Sequence, residues 1–552
     1  MQNSYRAFRR SLLATGMAAA LLVGCHAPDQ GDQQAAAAKA VPPPAEFVVP
    51  ICPDSKCGVL DSHGKVLVPF EHGYENVLVT FMKDHVLALK DSQWSLFDAR
   101  SGQKVKDIAT DSNDVYSLPG NHLFGFKRDG KVGLMDEQGK ELQPPRYDNL
   151  FEGGEKQYIG YELGGKNGLI DLQGKVLTEP LYDSVTVRED FDRHGGLVNA
   201  ERGDQEWVVS LKDGTQKQVE YKDLSELVDG HMVASNADGK NGLVDAKGDL
   251  TIPLKYDWLG TPNDGVVAFR ETSGQPCGYL DYQGKVVIAP KFADCQPFGK
   301  HGALAKPQPA NADDSPKYGV IGHDGQWLTP PTYSSVYDAG RTLMGLLRPV
   351  PGFAAIAQEI SPLVYNWGIY DTDHGRELIA PKYHDIGVLT PDRLVFSDAQ
   401  GPQTSLTIMG NTDAVPAVGV MDASGKVLVQ PSQFVNFELD KTGRYLRAQD
   451  GAGVPHFALY DLDGHQLIPP QWEQLDVDLE HGVIVGIAVD GVGDDASHTL
   501  RAVYDLQGKP LFQVKQTTCG AEQLVDGSDK VIWPQDPTPF CPKTPASPAS
   551  SG

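Results

Sequence analysis

Six of the seven cysteines fall into three pairs along the chain: Cys52 with Cys57, Cys277 with Cys295, and Cys519 with Cys541. Paired thiols can form disulfides or hold a metal. Structural zinc sites favour C-x₂-C spacing and companion histidines. No pair here has that spacing, and no histidine stands beside one in a ligand pattern. Disulfides between sequence neighbours are therefore expected, and metal ligation is not. The acidic turns, such as Asp461-Leu462-Asp463-Gly464, each offer one or two carboxylates. A calcium loop gathers about six oxygen ligands over about twelve residues, so turn capping is the expected role. Gly491-Val492-Gly493-Asp494-Asp495-Ala496 has the spacing of a dinucleotide-binding loop. Its carboxylates, with Asp490, would repel a pyrophosphate, and Leu500 to Tyr504 reads as strand where a helix N-terminus is needed. The fifteen histidines are scattered, and His63, His374 and His465 sit in turns. Walker, H-E-x-x-H and G-x-S-x-G motifs are absent from the sequence. No catalytic residue, cofactor-binding residue or metal ligand is singled out, and no cofactor is expected.

The seventh thiol, Cys25, has a different setting. Arg6, Arg9 and Arg10 precede a short apolar stretch, Leu12 to Val23, which ends in Leu22-Val23-Gly24-Cys25. A charged segment, a short apolar segment and small residues before a cleavage point make an export signal. The ending is similar to a bacterial lipobox, in which the cysteine is acylated (palmitate being a typical chain) and becomes the new N-terminus. Residues 1–24 are thus expected to be a lipoprotein signal peptide and Cys25 the lipidation site. Residues 25–46, rich in Gln, Ala and Pro, read as a flexible stalk. His26, rather than Asp, after the cysteine favours the outer membrane. The route is expected to be general secretion, although Arg9-Arg10 also faintly resembles a twin-arginine signal.

Formal charge is −25. A nucleic-acid partner calls for a basic footprint, and none is visible. Membrane attachment is expected through the lipid, because an acidic surface repels anionic headgroups.

The elements that hold these residues are repeats. A phrase recurs twelve times: a small residue, two aliphatics, Asp, two variable residues, Gly and often Lys, then Pro and an aromatic. Asn167-Gly168-Leu169-Ile170-Asp171-Leu172-Gln173-Gly174-Lys175 is a clear copy, as are those at Cys57-Gly58 and Cys277-Gly278. The second glycine persists in every copy: Gly64, Gly102, Gly139, Gly174, Gly214, Gly248, Gly284, Gly325, Gly375, Gly425, Gly464 and Gly508. These positions number units 1 to 12. Asp followed three residues later by Gly suits a tight turn. Asp accepts backbone N–H bonds and Gly takes positive φ. β-Formers flank it, so each copy predicts a hairpin. The Pro, as in Pro144-Pro145-Arg146-Tyr147, is expected to end the next strand or mark an edge. A further strand follows in many copies.

The phrase resembles the WG (KWG) repeat of bacterial proteins. Trp367-Gly368 is the literal dipeptide, Tyr318-Gly319 is a variant, and the copies at Trp207, Phe457 and Arg501 lack the first glycine. The resemblance spans residues 47–515 and implies extracytoplasmic or interaction roles, with no catalytic residues to carry over. An all-β fold of about twelve three-stranded repeats in a curved open array is expected, with two six-bladed β-propellers as the alternative. Long spacings predict insertions near residues 340–365 and 387–415. The first contains Met344, Leu346, Leu347, Val350, Phe353 and Ile356, expected to fold onto the array. Residues 516–552 are expected to form a disulfide-clamped cap and a disordered tail. The function expected is a lipid-anchored, non-enzymatic envelope protein that binds a protein or glycan. The alternative is an envelope hydrolase with carboxylates meeting in a cleft between repeats.

Overall fold

The computed structural model describes residues 47–541 except 73, 75, 79–84, 99–100, 112–114, 119–122, 153–157, 186–195, 312, 339–340, 343–344, 347–349, 409–410, 480 and 491–496. Cys25, the stalk, Met344, Leu347, the Gly491–Ala496 loop and the tail after Cys541 lie outside the described residues. The described chain is all-β, with antiparallel sheets and no α-helix. None of its helices is long and apolar enough to cross a membrane.

Each repeat turn forms as its residues dictate. In unit 4, Asp171 Oδ1 accepts the N–H groups of Gln173 (3.0 Å) and Lys175 (2.8 Å), and Gly174 closes the turn at φ +79°. In most units the strands on either side of such a turn belong to a four-stranded antiparallel meander. In unit 3 these are Val115–Ser117, Leu123–Arg128, Lys131–Asp136 and Glu141–Tyr147, adjacent in that order. Units 2, 5, 6, 9, 10 and 11 have the same order. The expected three strands are found in units 1 and 4, and these seven units add a fourth. The extra strand is the first of its unit and is as short as Ser184–Val185 in unit 5, too short to display alternation. Units 7 and 8 share one seven-stranded sheet. Its long strand, Val286–Phe298, is the last of one unit and the first of the next.

Proline does not end the outer strand. Pro144 and Pro145 lie inside Glu141–Tyr147, which is an edge strand, so its missing N–H groups leave no neighbour unpaired. The register slips there by a bulge, which carries the Pro segment over the first glycine of the phrase. In unit 9, a Cβ on Gly368 would lie 2.3 Å from the Ile379 carbonyl oxygen and 2.6 Å from the Pro381 nitrogen. That close approach is why glycine follows tryptophan.

Lysine two residues before that glycine also has a structural role. Lys131, Lys166 and Lys240 pair with Asp148, Asp183 and Asp257 at the corner leading into the next unit. The same carboxylates accept a backbone N–H from the next unit's hairpin: Gly164 (2.6 Å), Gly203 (2.8 Å) and Ser273 (2.7 Å). The lysine hydrogen bond, then the backbone one, holds each carboxyl below the usual aspartate range. A depressed folded-state value means that the contribution is complete above the unfolded value near ~3.9. It is lost as pH falls through the folded value. The triple variant D148N/D183N/D257N is expected to melt a few degrees below wild type at neutral pH. The gap should narrow as pH drops below about 4. A gap that is constant with pH would refute the bracket.

Packing links the units. Twelve apolar clusters form, and each draws its side chains from two neighbouring units. Eleven join consecutive units. The twelfth joins the ends: Val49, Leu60 and Phe70 of unit 1 pack with Val483, Val503, Phe512, Leu524 and Trp533. Tandem β-repeats are thus the architecture, but the array is not open, because its first and last units share a core. Two separate six-unit circuits would require unit 6 to meet unit 1, and no such cluster is present among the described residues. The closing junction repeats the geometry of the others. Gly102 of unit 2 sits against Leu67 of unit 1, Gly508 of unit 12 against Leu467 of unit 11, and Gly64 of unit 1 against Phe512 of unit 12.

Polar contacts reinforce the closure. Asp54 N–H donates to Glu522 Oε2 (2.8 Å), Glu522 N–H donates to Asp54 Oδ2 (3.0 Å), and Trp533 Nε1 donates to Glu71 Oε1 (3.0 Å). Residues past 515 extend the last sheet by two strands, Glu522–Asp526 and Val531–Trp533. Their turn has the repeat's hydrogen bonds, from Ser528 and Lys530 to Asp526, with Asp529 (φ +64°) in the glycine's place.

Candidate interaction face

The meander places two kinds of loop at opposite ends of each unit. One end carries the Asp-to-Gly turns that dock on the preceding unit. The other carries the loop between the second and third strands, and here the units differ. In units 2 to 5 that loop is two residues long: Asp91-Ser92, Asp129-Gly130, Gly164-Gly165 and Gly203-Asp204. In unit 8 it runs from 308 to 317, between Ala303–Pro307 and Tyr318–Ile321. In unit 9 the strands themselves lengthen to Phe353–Ser361 and Val364–Asp371. Unit 10 inserts a whole hairpin, Gln403–Ile408 with Asn411–Pro416. Unit 11 has 451–456, on which Val454 is 58% exposed. Binding residues concentrate on loops held by a rigid scaffold, which makes this end of units 8 to 11 the candidate face.

The insertion expected near 387–415 is found here, whereas that near 340–365 is split: its hairpin of Arg341–Thr342 with Gly345–Leu346 joins the first and second strands at the opposite end, and only the part around 359–365 reaches this face. Of the apolar residues named in the split insertion, Ile356 is buried in the core between units 8 and 9, and Val350 and Phe353 pack on the core between units 9 and 10. The residues left in solvent are others: Ile360, Leu363 and Val364 at the hairpin tip. Along its stem Trp367 stacks on Tyr337 (centroids 4.9 Å, 23° between planes), with Tyr365 at 6.2 Å. The only advance sign of the tip was an Ile-Ser-Pro-Leu-Val run within a long spacing.

A cleft of roughly 470 Å³, part of it open solvent, lies between units 6, 7 and 9. Val228, Asn263, Phe298, Tyr337 and Phe353 help to line it. Tyr337 is the sole titratable group in that lining. The cleft therefore brings together no pair of carboxylates of the kind glycoside hydrolysis uses.

The sequence candidates fall as follows. Disulfides join Cys52 to Cys57, Cys277 to Cys295 and Cys519 to Cys541. His374 and His465 donate through Nδ1 to their own turn aspartates, Asp371 and Asp461, at 2.8 Å, and His63 is likewise on a turn. The Asp461 hydrogen bond raises the His465 pKa. Asp461 Oδ1 is occupied by the N–H groups of Asp463 and His465, both at 2.9 Å. Among the described residues no three acidic, His or Cys side chains gather where a metal ion would fit.

The family pattern described as WG containing repeat matches residues 168–195, 242–272, 278–305 and 318–339, within units 4 to 9. No curated protein matches. Among solved structures the chain is similar to a crystal structure of the eukaryotic initiation factor, at 10% identity and a TM-score of 0.39. That match covers 74% of this chain and 99% of the other. It is also similar to the tricorn protease, at 10% identity and a TM-score of 0.28, covering 85% of this chain and 63% of the other. Likenesses this distant carry no argument. The WG containing repeat pattern is thus present at four places in this chain, each overlapping a repeat meander.

Proposed function

We propose that this is a lipid-anchored, non-enzymatic protein of the bacterial cell envelope, held to the outer membrane through acyl chains on Cys25. Its repeat surface binds a partner, and the scaffold has no catalytic duty. The observation that carries the reading is the one-sided lengthening of loops in units 8 to 11. There, apolar side chains are placed in water, whereas units 2 to 5 keep two-residue connections. WG repeats suggest a protein-binding β-repeat fold, so a protein ranks before a glycan as partner. Anchoring rests on the Leu22-Val23-Gly24-Cys25 pattern.

The test has two arms. Metabolic labelling with palmitate is expected to mark the wild-type protein, and Cys25→Ala is expected to abolish the label and release the protein from membranes. Purified protein lacking residues 1–24 is expected to turn over no generic ester, peptide or glycoside while retaining a crosslinkable envelope partner. Measurable turnover without a partner would reverse the assignment.

A further inference from the structure

The unit 9 hairpin is longer than its counterparts in most units, and among the described residues only Val483–Asp490 and Ser497–Asp505 of unit 12 match it. Its strands have nine and eight residues, against six and six in unit 3. At about 3.4 Å per residue the excess extends the tip by roughly 7–10 Å. The tip is a two-residue turn, Pro362-Leu363, between paired Ser361 and Val364. Leu363 has φ +64°, a region where glycine or asparagine meets less steric cost. It is also 86% exposed, flanked by Ile360 at 60% and Val364 at 48%. A leucine that is both strained and in water does nothing for the folded chain alone, and such outliers point to function.

The tip is also braced. Glu359 Oε1 accepts the Leu363 N–H (3.2 Å), and Glu359 N–H donates to Ser334 Oγ (3.2 Å). The Tyr337–Trp367 stack stiffens the stem. A rigid apolar anchor costs little entropy to bury on binding.

Charge selects the occupant. The corresponding loops of the two flanking units carry Asp313 and Asp314 on one side and Asp398 and Asp413 on the other. Glu359 stands on the hairpin itself, and Lys317 is the single cation in these segments. Lys306 and Lys382, at the loop bases, lie over the rings of Tyr318 and Tyr383. An acidic collar repels an anionic bilayer and repels the same face of a second copy.

We propose that Ile360, Leu363 and Val364 form the anchor that enters an apolar pocket on a protein partner, and that this pocket is rimmed by lysine or arginine. The inference rests on the binding-face reading above and names its contact.

The experiment places a photoreactive amino acid at 363, at 454 and at 105 of the full chain, in cells. Val454 lies on the same face, whereas Val105 is an exposed residue of the outer strand of unit 2. The expected result is one protein adduct from 363, mapped to a partner segment with apolar residues beside Lys or Arg, and none from 105. With that partner purified, Leu363→Gly relieves the strained turn and keeps the fold, yet should weaken binding at least tenfold. Raised salt should weaken it further. An adduct from 454 without one from 363 leaves the face and overturns the anchor. Adducts from neither overturn both. A lipid adduct, a self-adduct, a partner segment without basic residues, or unchanged affinity of Leu363→Gly overturns the proposal.

Discussion

Trp533→Ala is expected to lower the stability of units 1 and 12 together by about 3–5 kcal/mol, the range for removing a large buried aromatic side chain. Trp533 is 8% exposed, stacks on Phe70 at 4.9 Å and meets Phe540 at 5.0 Å. Its indole N–H is held by Glu71, some 460 residues away in sequence. In an open array the same residue would belong to a terminal unit with one neighbour, and its loss would loosen that terminus alone. In the closed circuit it should also release Val49, Leu60 and Phe70 at the opposite end of the chain. Hydrogen exchange is the appropriate readout, since a long repeat array need not unfold in one step. Amides of Val48–Ile51 and Gly58–Asp61 should lose protection along with those of Glu522–Asp526, while unit 6 keeps its own. Protection lost only after residue 510 would show that the ends are independent. Trp327, 40% exposed on the outer strand of unit 8, is the comparison, and its alanine variant should cost less than about 1 kcal/mol.

The second large effect concerns the turn glycines. Gly102 has φ +69°, and a Cβ there would fall 1.9 Å from the Leu67 carbonyl oxygen of unit 1. Alanine must absorb both the left-handed penalty of roughly 1–2 kcal/mol and a displacement of backbone across the junction, typically another ~1–3 kcal/mol. Gly130 separates the two contributions. It has φ +73°, and a Cβ there would meet no atom within 4 Å. Gly130→Ala should therefore show the conformational penalty alone. Chemical denaturation of the two variants should differ by at least about 1 kcal/mol. Equal losses would mean that the glycine serves the turn and not the seam.

Much of this was legible in local sequence. Asp171 and Gly174 announce a turn because the carboxylate and the positive φ are needed within four residues, and the same holds for each clear copy. The disulfide pairs could be read because their partners are 5, 18 and 22 residues apart. Features that depend on distant residues were not legible. The first strands of several units, such as Asp223–Leu224 and Trp258–Leu259, are too short to carry a period. The turn at Asp526 was hidden because Asp529 stands where glycine was the marker. The lysine of the repeat finds its aspartate only after the chain has rounded a corner, as with Lys131 and Asp148, 17 residues on. Closure had no local sign at all, since Phe70 and Trp533 carry nothing that names each other. For the candidate face, the wide spacings located the inserts. They did not say which end of the unit would receive them, nor that Ile356 would be buried while Leu363 would not.

The shared core of the first and last units bears on mechanical load. Whatever tugs on the segment ahead of Phe47 pulls a unit that is gripped on both flanks, by unit 2 and by unit 12. A terminal repeat in a simple stack would peel away from a single flank, one rung at a time. Here detachment requires two seams to part at once, so Val48–Ile51 is one of the better-secured strands in the molecule.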